Sequence, residues 1–444
     1  MIKKLKIALF YIFTFLLVIT STAGVINALP PVERIVLPNN LVLLVSEDHS
    51  LPLVIIDLLI DSGSRRDPSG KEGLANLTAS GLLLGTKKHA NTALNEELDF
   101  MGAILDTSCV RDFSTLKLEI LKKDLDKGFD IFMETLTQPV FPEDDIQKEV
   151  QKILANIQSS EEKPMEVAEK AFRRTLFLNP YSHPVEGLRE SLPHIARQDV
   201  VQFYRTYYHP NNAILSVVGD ITLDEVKTKL VPHLIRWSKS EVPKENFVVK
   251  FSEGEKIVKI NRDITQANII FGQAGISRSD PDYYALAVMN YILGGGGFAS
   301  RLMEEIRNKR GLAYSVGSFV DAAKYPGSFQ ILLQTKNPSA QEALSLVLQQ
   351  VKKIQEEPVS EKELEGAKRY LVGSFPMKID TYGKLADFLV QIEYYGLGAG
   401  YFEKYRSLID AVTAGDVQRV ARKYLHSDMN ILIIVANLKE AGMD

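Results

Sequence analysis

The sequence predicts an α+β protein made of two homologous halves, each a mostly antiparallel sheet with helices packed on one face. Three observations predict this fold. The length of 444 residues suits two to three domains. Within each half, strand patterns come in pairs and are separated by long helical patterns, which is typical of α+β folds. Motifs of the first half also return in the same order in the second half.

The first residues of the chain predict a signal peptide over 1–28. Three lysines precede an uncharged apolar run from Ile7 to about Ile19, and small residues follow. This is the pattern of a secretory signal, with cleavage after Ala23 or Ala28. An uncleaved anchor stays open as an alternative, because the apolar tract is just long enough to span a bilayer. We expect an exported protein, periplasmic or extracellular, with no stable membrane span if the signal peptide is cleaved.

The first half mixes strand and helix patterns. Residues 42–46 and 53–60 are rich in β-branched side chains and predict strands, whereas 124–136 and 143–157 carry apolar residues at helical spacing. In the second half, Ser360 and the glutamate three residues later have the form of a capping box at a helix start.

An internal duplication with a period of about 215 residues divides the chain. The repeated motifs are Gly63–Pro68 with Gly275–Pro281, Pro139-Val140 with Pro358-Val359, and Asp199 to His209 with Asp416 to His426. Such a period is too long for a solenoid and suits two domains of ordinary size. We predict a first domain at 29–237, a polar, proline-marked linker at 238–250, and a second domain at 251–444.

Composition excludes several classes of function. A formal net charge of −4 gives no basic excess, so no nucleic-acid partner is predicted. The single Cys109 excludes an internal disulfide framework and a cysteine-rich metal site. No two of the seven histidines lie three or four residues apart, as ligands on one helix face would.

The segment 73–86 reads Gly-Leu-Ala-Asn-Leu-Thr-Ala-Ser-Gly-Leu-Leu-Leu-Gly-Thr. It resembles the active-site helix of the pitrilysin/insulinase-type zinc metallopeptidases, in particular their processing-peptidase-like branch. In that family the run is roughly G-L-A-H-x-x-E-H-x-x-x-x-G-T, in which two histidines bind zinc and the glutamate activates water. The three positions here are Asn76, Ala79 and Ser80, and the family's third ligand, a later glutamate, aligns with Asn156.

These four substitutions remove the chemistry of the family's site. Amide and hydroxyl oxygens are weak zinc donors, and alanine neither binds a metal nor moves a proton. The resemblance therefore implies no metal in this chain and no peptidase activity of the chain alone.

A glycine run precedes a helical pattern in the second half. It comprises Gly294, Gly295, Gly296 and Gly297. The run lacks the pattern of a phosphate-binding loop, so nucleotide binding is not predicted. From the residues alone it is a mobile turn before a helix that ends at Gly311. The resemblance implies instead a loop near the substrate path of noncatalytic subunits.

Arg307 and Tyr314 follow the glycine run, with Tyr314 seven positions after Arg307. From the residues alone they are a surface arginine and a core tyrosine. In the second halves of the family, an arginine and a tyrosine at this spacing bind the carbonyl region of the substrate. A guanidinium and a phenol suit that role because peptide hydrolysis develops negative charge on the scissile oxygen.

The resemblance implies a noncatalytic subunit of a heterodimeric zinc metallopeptidase. The partner would be a homologous catalytic chain with an intact H-x-x-E-H motif, which would hold the zinc, and the substrate would be an unfolded or short peptide. Two alternatives stay open. One is a non-enzymatic peptide-binding or assembly-scaffold protein of the same fold, and the other is a homodimer that chaperones peptides.

Overall fold

Two β-sheets form the framework of the protein. The computed structural model describes residues 31–244, 247–398, 400–426 and 430–444, so the predicted signal peptide lies outside the described residues. The strands of the first sheet are β1 (Val32–Val36), β2 (Val42–Glu47), β3 (Leu53–Ile60), β4 (Ile104–Cys109), β5 (Ser114–Leu121) and β6 (Ala213–Gly219). Those of the second are β7 (Lys256–Asn261), β8 (Gln266–Ala274), β9 (Ala313–Asp321), β10 (Ser328–Lys336) and β11 (Ile431–Ala436).

Twelve α-helices of eight residues or more lie in the described part of the chain. In the first half they are α1 (Leu74–Gly81), α2 (Asn91–Met101), α3 (Leu125–Thr137), α4 (Glu143–Glu161), α5 (Pro164–Leu176) and α6 (Arg197–Tyr207). In the second half they are α7 (Tyr283–Asn290), α8 (Ala340–Glu356), α9 (Glu361–Ser374), α10 (Tyr382–Tyr394), α11 (Tyr401–Asp410) and α12 (Ala414–Tyr424). None of the described helices is long and apolar enough to cross a bilayer.

The two sheets have the same topology. Their strand orders are β1-β2-β6-β3-β5-β4 and β7-β11-β8-β10-β9. The first sheet has one additional strand, β1. Each sheet has one parallel pair, which is β2 with β6 in the first and β7 with β11 in the second, and all other neighbouring strands are antiparallel. This confirms the predicted α+β fold of two homologous halves. The predicted domain bounds at 237 and 251 stay a prediction.

Each sheet is covered on its second face by a helix from the other half. Side chains of β3 alternate between faces: Ile56 and Leu58 pack with the helices of the first half, whereas Ile55 belongs to the core built mainly by the second half. Helix α10 of the second half lies against β3 and β6 there. Helix α5 of the first half lies in return against β8 and β11 of the second sheet.

The contact of α5 with the second sheet is apolar. Ala168, Phe172 and Leu176 pack in one buried cluster with Ile270 and Ile433. The Phe172 ring packs directly on the backbone of β8, because a Cβ on Gly272 would lie 2.8 Å from that ring. Burial of each large side chain here contributes roughly 1.5–3 kcal/mol.

The contact of α10 with the first sheet is partly polar. Ser216 Oγ donates to the Ala386 carbonyl at 3.1 Å. Lys117 Nζ donates to the Gly383 carbonyl at 3.1 Å and to the Asp387 carboxylate at 2.9 Å. This helix is therefore held by hydrogen bonds and an ion pair as well as by apolar packing.

A buried cluster of charged and aromatic side chains also joins the halves. Arg65 Nε lies 3.6 Å from the Asp112 carboxylate, which accepts a hydrogen bond from the Tyr181 hydroxyl. From the second half, the Tyr394 hydroxyl donates to the Asp112 carbonyl at 3.3 Å, and the Tyr325 ring lies 5.3 Å from the Arg65 guanidinium carbon. Here the halves are thus connected by a hydrogen bond and a cation–π contact.

Asp57 is the one carboxylate of β3, and it faces α10. Only 1% of its surface is exposed. Lys117 and Ser216 stand opposite on the neighbouring strands, and Asp387 lies on α10. Burial first, and then the negative charge of Asp387, raise the pKa of Asp57 well above its usual range, while Lys117 opposes the shift.

We expect Asp57→Asn to stabilise the protein at alkaline pH. In the unfolded chain this carboxyl ionises near pH 4, whereas in the fold it holds its proton to higher pH. Wild-type stability should therefore fall as the pH rises from about 4 through the raised pKa. Asparagine has the same shape without the charge, so the variant should be more stable by about 1–3 kcal/mol above that pKa.

Urea unfolding of both proteins between pH 5 and pH 9 measures this difference. Asp106→Asn, on the exposed face of β4, is the matched control and should follow the wild type. Equal loss of stability in wild type and Asp57→Asn over this range would contradict the expectation.

Candidate functional site

Helix α1 carries the predicted degenerate zinc site. Its start is fixed by the Asp67 side chain and by close backbone packing at Gly73. The Asp67 carboxylate accepts hydrogen bonds from the Gly73 and Ala75 amides, both at 2.7 Å. Burial raises the pKa of Asp67 to about 7, although the two amide hydrogen bonds oppose the shift. Gly73 has φ +99° and faces Gly187 so closely that a Cβ would lie 2.9 Å from its Cα.

The four degenerate positions lie on α1 and α4. Asn76 and Ser80 are half-buried on α1, one turn apart, and Ala79 between them is 2% exposed. The Ser80 hydroxyl donates to the Leu77 carbonyl of its own helix at 3.3 Å. Asn156 is exposed on α4.

The residues at these four positions do not fit a zinc ion. They offer two amides, one hydroxyl and one methyl group, whereas zinc sites in proteins use imidazole, thiolate and carboxylate donors. Nowhere in the described parts of the chain do three histidine, cysteine or acidic side chains lie together as a possible metal site. No step of a reaction is therefore assigned to metal held by this chain.

Arg307 and Tyr314 lie on consecutive elements of the second half. Arg307 is half-buried in the π-helical segment Met303–Asn308, and Tyr314 is the second residue of β9. Gly311 reverses the chain between them with φ +64°, and its amide donates to the Arg307 carbonyl at 2.9 Å. Tyr314 is 70% exposed, so the expectation of a core tyrosine from the residues alone is wrong.

The predicted helix after the glycine run differs in form from a regular α-helix. Tyr291–Gly295 and Met303–Asn308 are π-helical, and Gly297–Ala299 is a single 3₁₀ turn. π-Helical turns are rare and are frequent at functional sites. The extra residue per turn changes which side chains share a face, and the apolar spacing of the sequence does not reveal it.

The structure keeps the two predicted groups of residues in separate halves. Asn76, Ser80 and Asn156 belong to helices of the first half, and Arg307 and Tyr314 belong to the second. Among the described residues, no hydrogen bond or ion pair joins the two groups.

Two residues that support these groups were not singled out by the sequence analysis. Asp67 caps α1, and its place in the repeated Gly63–Pro68 motif was the available signal. Phe298 follows the glycine run and lies with its ring centroid 5.1 Å from the Arg307 guanidinium carbon. Its only signal was an aromatic residue directly after four glycines.

Comparison with known proteins gives matches over both halves. Residues 42–187 match the family model described as insulinase (peptidase family M16), and residues 194–371 match the model described as the peptidase M16 inactive domain. The chain is 27% identical over 402 residues to a non-peptidase homolog, YmxG, of Helicobacter pylori, covering 89% of this chain and 91% of that protein.

Two further relatives extend the comparison. A probable mitochondrial-processing peptidase subunit beta of Arabidopsis thaliana is 25% identical over 417 residues, covering 91% of this chain and 78% of that protein. The crystal structure of a peptidase M16 inactive domain from Pseudomonas fluorescens superposes with a TM-score of 0.86 at 26% identity, covering 91% of this chain and 98% of that one. With both halves matched and the metal-binding side chains replaced, the chain belongs to the insulinase-type peptidase family M16 as a member without the zinc motif.

Proposed function

We propose that this chain is the noncatalytic subunit of an exported heterodimeric zinc metallopeptidase, in which Arg307 and Tyr314 complete the active site of the partner subunit. The observation that carries the proposal is an asymmetry between the halves. The first half lacks a metal-binding side chain at Asn76, Ala79 and Ser80, whereas the second half keeps the arginine and tyrosine at the family's spacing.

The partner would be a homologous chain with an intact H-x-x-E-H motif that holds the zinc. This chain would contribute a guanidinium and a phenol, which donate hydrogen bonds to the substrate carbonyl oxygen as negative charge develops on it. Their availability supports this role, because Tyr314 is mostly exposed and Arg307 has no carboxylate partner among the described residues. The relative named as a processing-peptidase subunit supports a two-subunit enzyme.

The substrate class we propose is unfolded or short peptides, and Gly294–Gly297 would border their path. Export rests on the pattern of the first residues, where lysines precede an apolar run and small residues. The enzyme would therefore act in the periplasm or outside the cell.

The second candidate is a non-enzymatic peptide-binding or scaffold protein of the same fold. The relative named as a non-peptidase homolog favours it. In that case Arg307 and Tyr314 would be dispensable, which separates the two candidates by experiment.

We expect the purified chain to retain no stoichiometric zinc after equilibration with the metal and dialysis, because its helix offers weak oxygen donors. A variant with Asn76→His, Ser80→His and Asn156→Glu should retain about one zinc per chain, since these are the donor types of the family's site. Elemental analysis measures both, with circular dichroism as the control for folding. Zinc retained equally by wild type and variant would contradict the expectation.

We expect Arg307→Ala and Tyr314→Phe to lower the turnover of the heterodimer by about 10²–10³ each, because each removes a donor to the developing oxyanion. The measurement is cleavage of quenched fluorescent peptides by this chain co-purified with a homologous chain of the same organism that carries H-x-x-E-H.

Matched controls are Arg310→Ala and Tyr370→Phe, which alter exposed residues of the same half. They should leave turnover unchanged, and gel filtration should show intact heterodimer for every variant. An active pair whose rate is unaffected by both Arg307→Ala and Tyr314→Phe would refute the proposal.

A further inference from the structure

Phe298 is an exposed aromatic residue beside the arginine of the proposed site. It is 68% exposed, and the Arg307 guanidinium carbon lies 5.1 Å from its ring centroid. A guanidinium within about 6 Å of a phenyl ring is attracted by the ring's quadrupole. The ring therefore restrains the guanidinium by a contact that does not involve a second charged group.

The glycine run places this ring. A Cβ at Gly294 would lie 2.4 Å from the Ser318 amide nitrogen, and one at Gly296 would lie 2.7 Å from the Tyr291 carbonyl oxygen. These glycines let the chain wind tightly against β9 and the end of α7. Gly297 then turns with φ +55°, and the Ser300 hydroxyl closes the turn by donating to its carbonyl at 2.7 Å. Phe298 stands at the outside of this closed turn.

The acidic residues near Arg307 are bound to other side chains. Lys309 pairs with Glu305, and the Asn308 amide donates to Glu304 at 2.9 Å. Both carboxylates thus have partners other than Arg307, and among the described residues no ion pair neutralises the Arg307 charge.

We propose that Phe298 is a positioning residue for Arg307, holding the guanidinium by a cation–π contact so that its charge stays available to a peptide carbonyl. The inference rests on the proposed function for the identity of the acceptor, but the contact itself can be tested without it. A carboxylate in the place of the ring would hold the side chain equally well and neutralise the charge that an oxyanion needs.

The contact is tested first in the isolated full chain. Arginine-selective ¹⁵N labelling gives the Nε–H signal of Arg307, assigned by its loss in Arg307→Lys. Because the ring current of Phe298 acts on this proton, Phe298→Leu should shift the signal, whereas Phe100→Leu, another exposed phenylalanine, should not. An Arg307 signal unmoved by Phe298→Leu would overturn the inference.

The second test uses the active heterodimer and a double-mutant cycle. Phe298→Leu should lower kcat about two- to fivefold, the effect of one exposed cation–π contact, and Phe298→Tyr should restore the rate. In the Arg307→Ala background Phe298→Leu should have no further effect, because residues acting through one group are not additive.

The two possible failures are distinct. If Arg307→Ala slows the enzyme but Phe298→Leu adds its full effect in that background, Phe298 does not act through Arg307 and the inference is wrong. If Arg307→Ala and Tyr314→Phe both leave the rate unchanged, the proposed function is wrong, and the Nε–H shift still decides whether the ring holds the guanidinium.

Discussion

The exchange of helices between the halves is the interaction on which the rest of the structure depends. A β-sheet has two faces, and each face with apolar side chains must be covered. Each half covers one face of its own sheet with its own helices, while α10 and α5 cover the second faces across the boundary. Neither sheet is fully covered without the other half, so separating the halves would expose residues such as Ile55 and Ile433.

This exchange also links the remnant of the zinc site to the other half. Helix α4 carries Asn156 and ends at Glu161, and α5 begins at Pro164 and lies on the second sheet. The Arg262 guanidinium of the second half donates to the Glu161 carbonyl at 2.9 Å, close to this joint. The C-terminal end of α4 is therefore held by contacts with both halves.

The helix of the lost motif is likewise maintained by packing. Leu74 and Leu77 are buried in the core of the first half, and Asp67 caps the helix start. Gly81 lies so close to Phe141 that a Cβ placed on it would be 3.0 Å from the ring. None of these contacts uses the family's metal-binding positions. Loss of a catalytic ligand in such a helix removes chemistry but little stability, because a catalytic site, unlike a structural zinc site, does not hold the fold together.

Much of the local structure could be predicted from the sequence, because it depends on neighbouring residues. Strand β3 has the predicted bounds, the helix predicted at 143–157 is present, and the Ser360 capping box forms with hydrogen bonds of 2.9 and 3.3 Å. The helix exchange could not be predicted in this way. Apolar spacing shows which face of a helix is buried but not which sheet buries it, and Asp57 within an apolar strand was the one sign of an unusual second face.

The π-helical segments escaped prediction for a related reason. Apolar residues at Met303 and Ile306 satisfy a regular helix as well as a π-helix, and the choice depends on how the segment meets β9. The surroundings of Arg307 also escaped prediction. Its guanidinium meets the Phe298 ring, and the neighbouring Glu305 pairs with Lys309, neither of which follows from apolar spacing.

The surface around Arg307 is more open than the fold requires. Phe298 and Tyr314 leave most of their surface exposed. Large exposed aromatic groups beside an unneutralised cation gain little from folding and are typical of surfaces that bind other molecules. The exposure of Phe298 beside Arg307, and of Tyr314 on the following strand, therefore favours the proposed binding role over a role in stability.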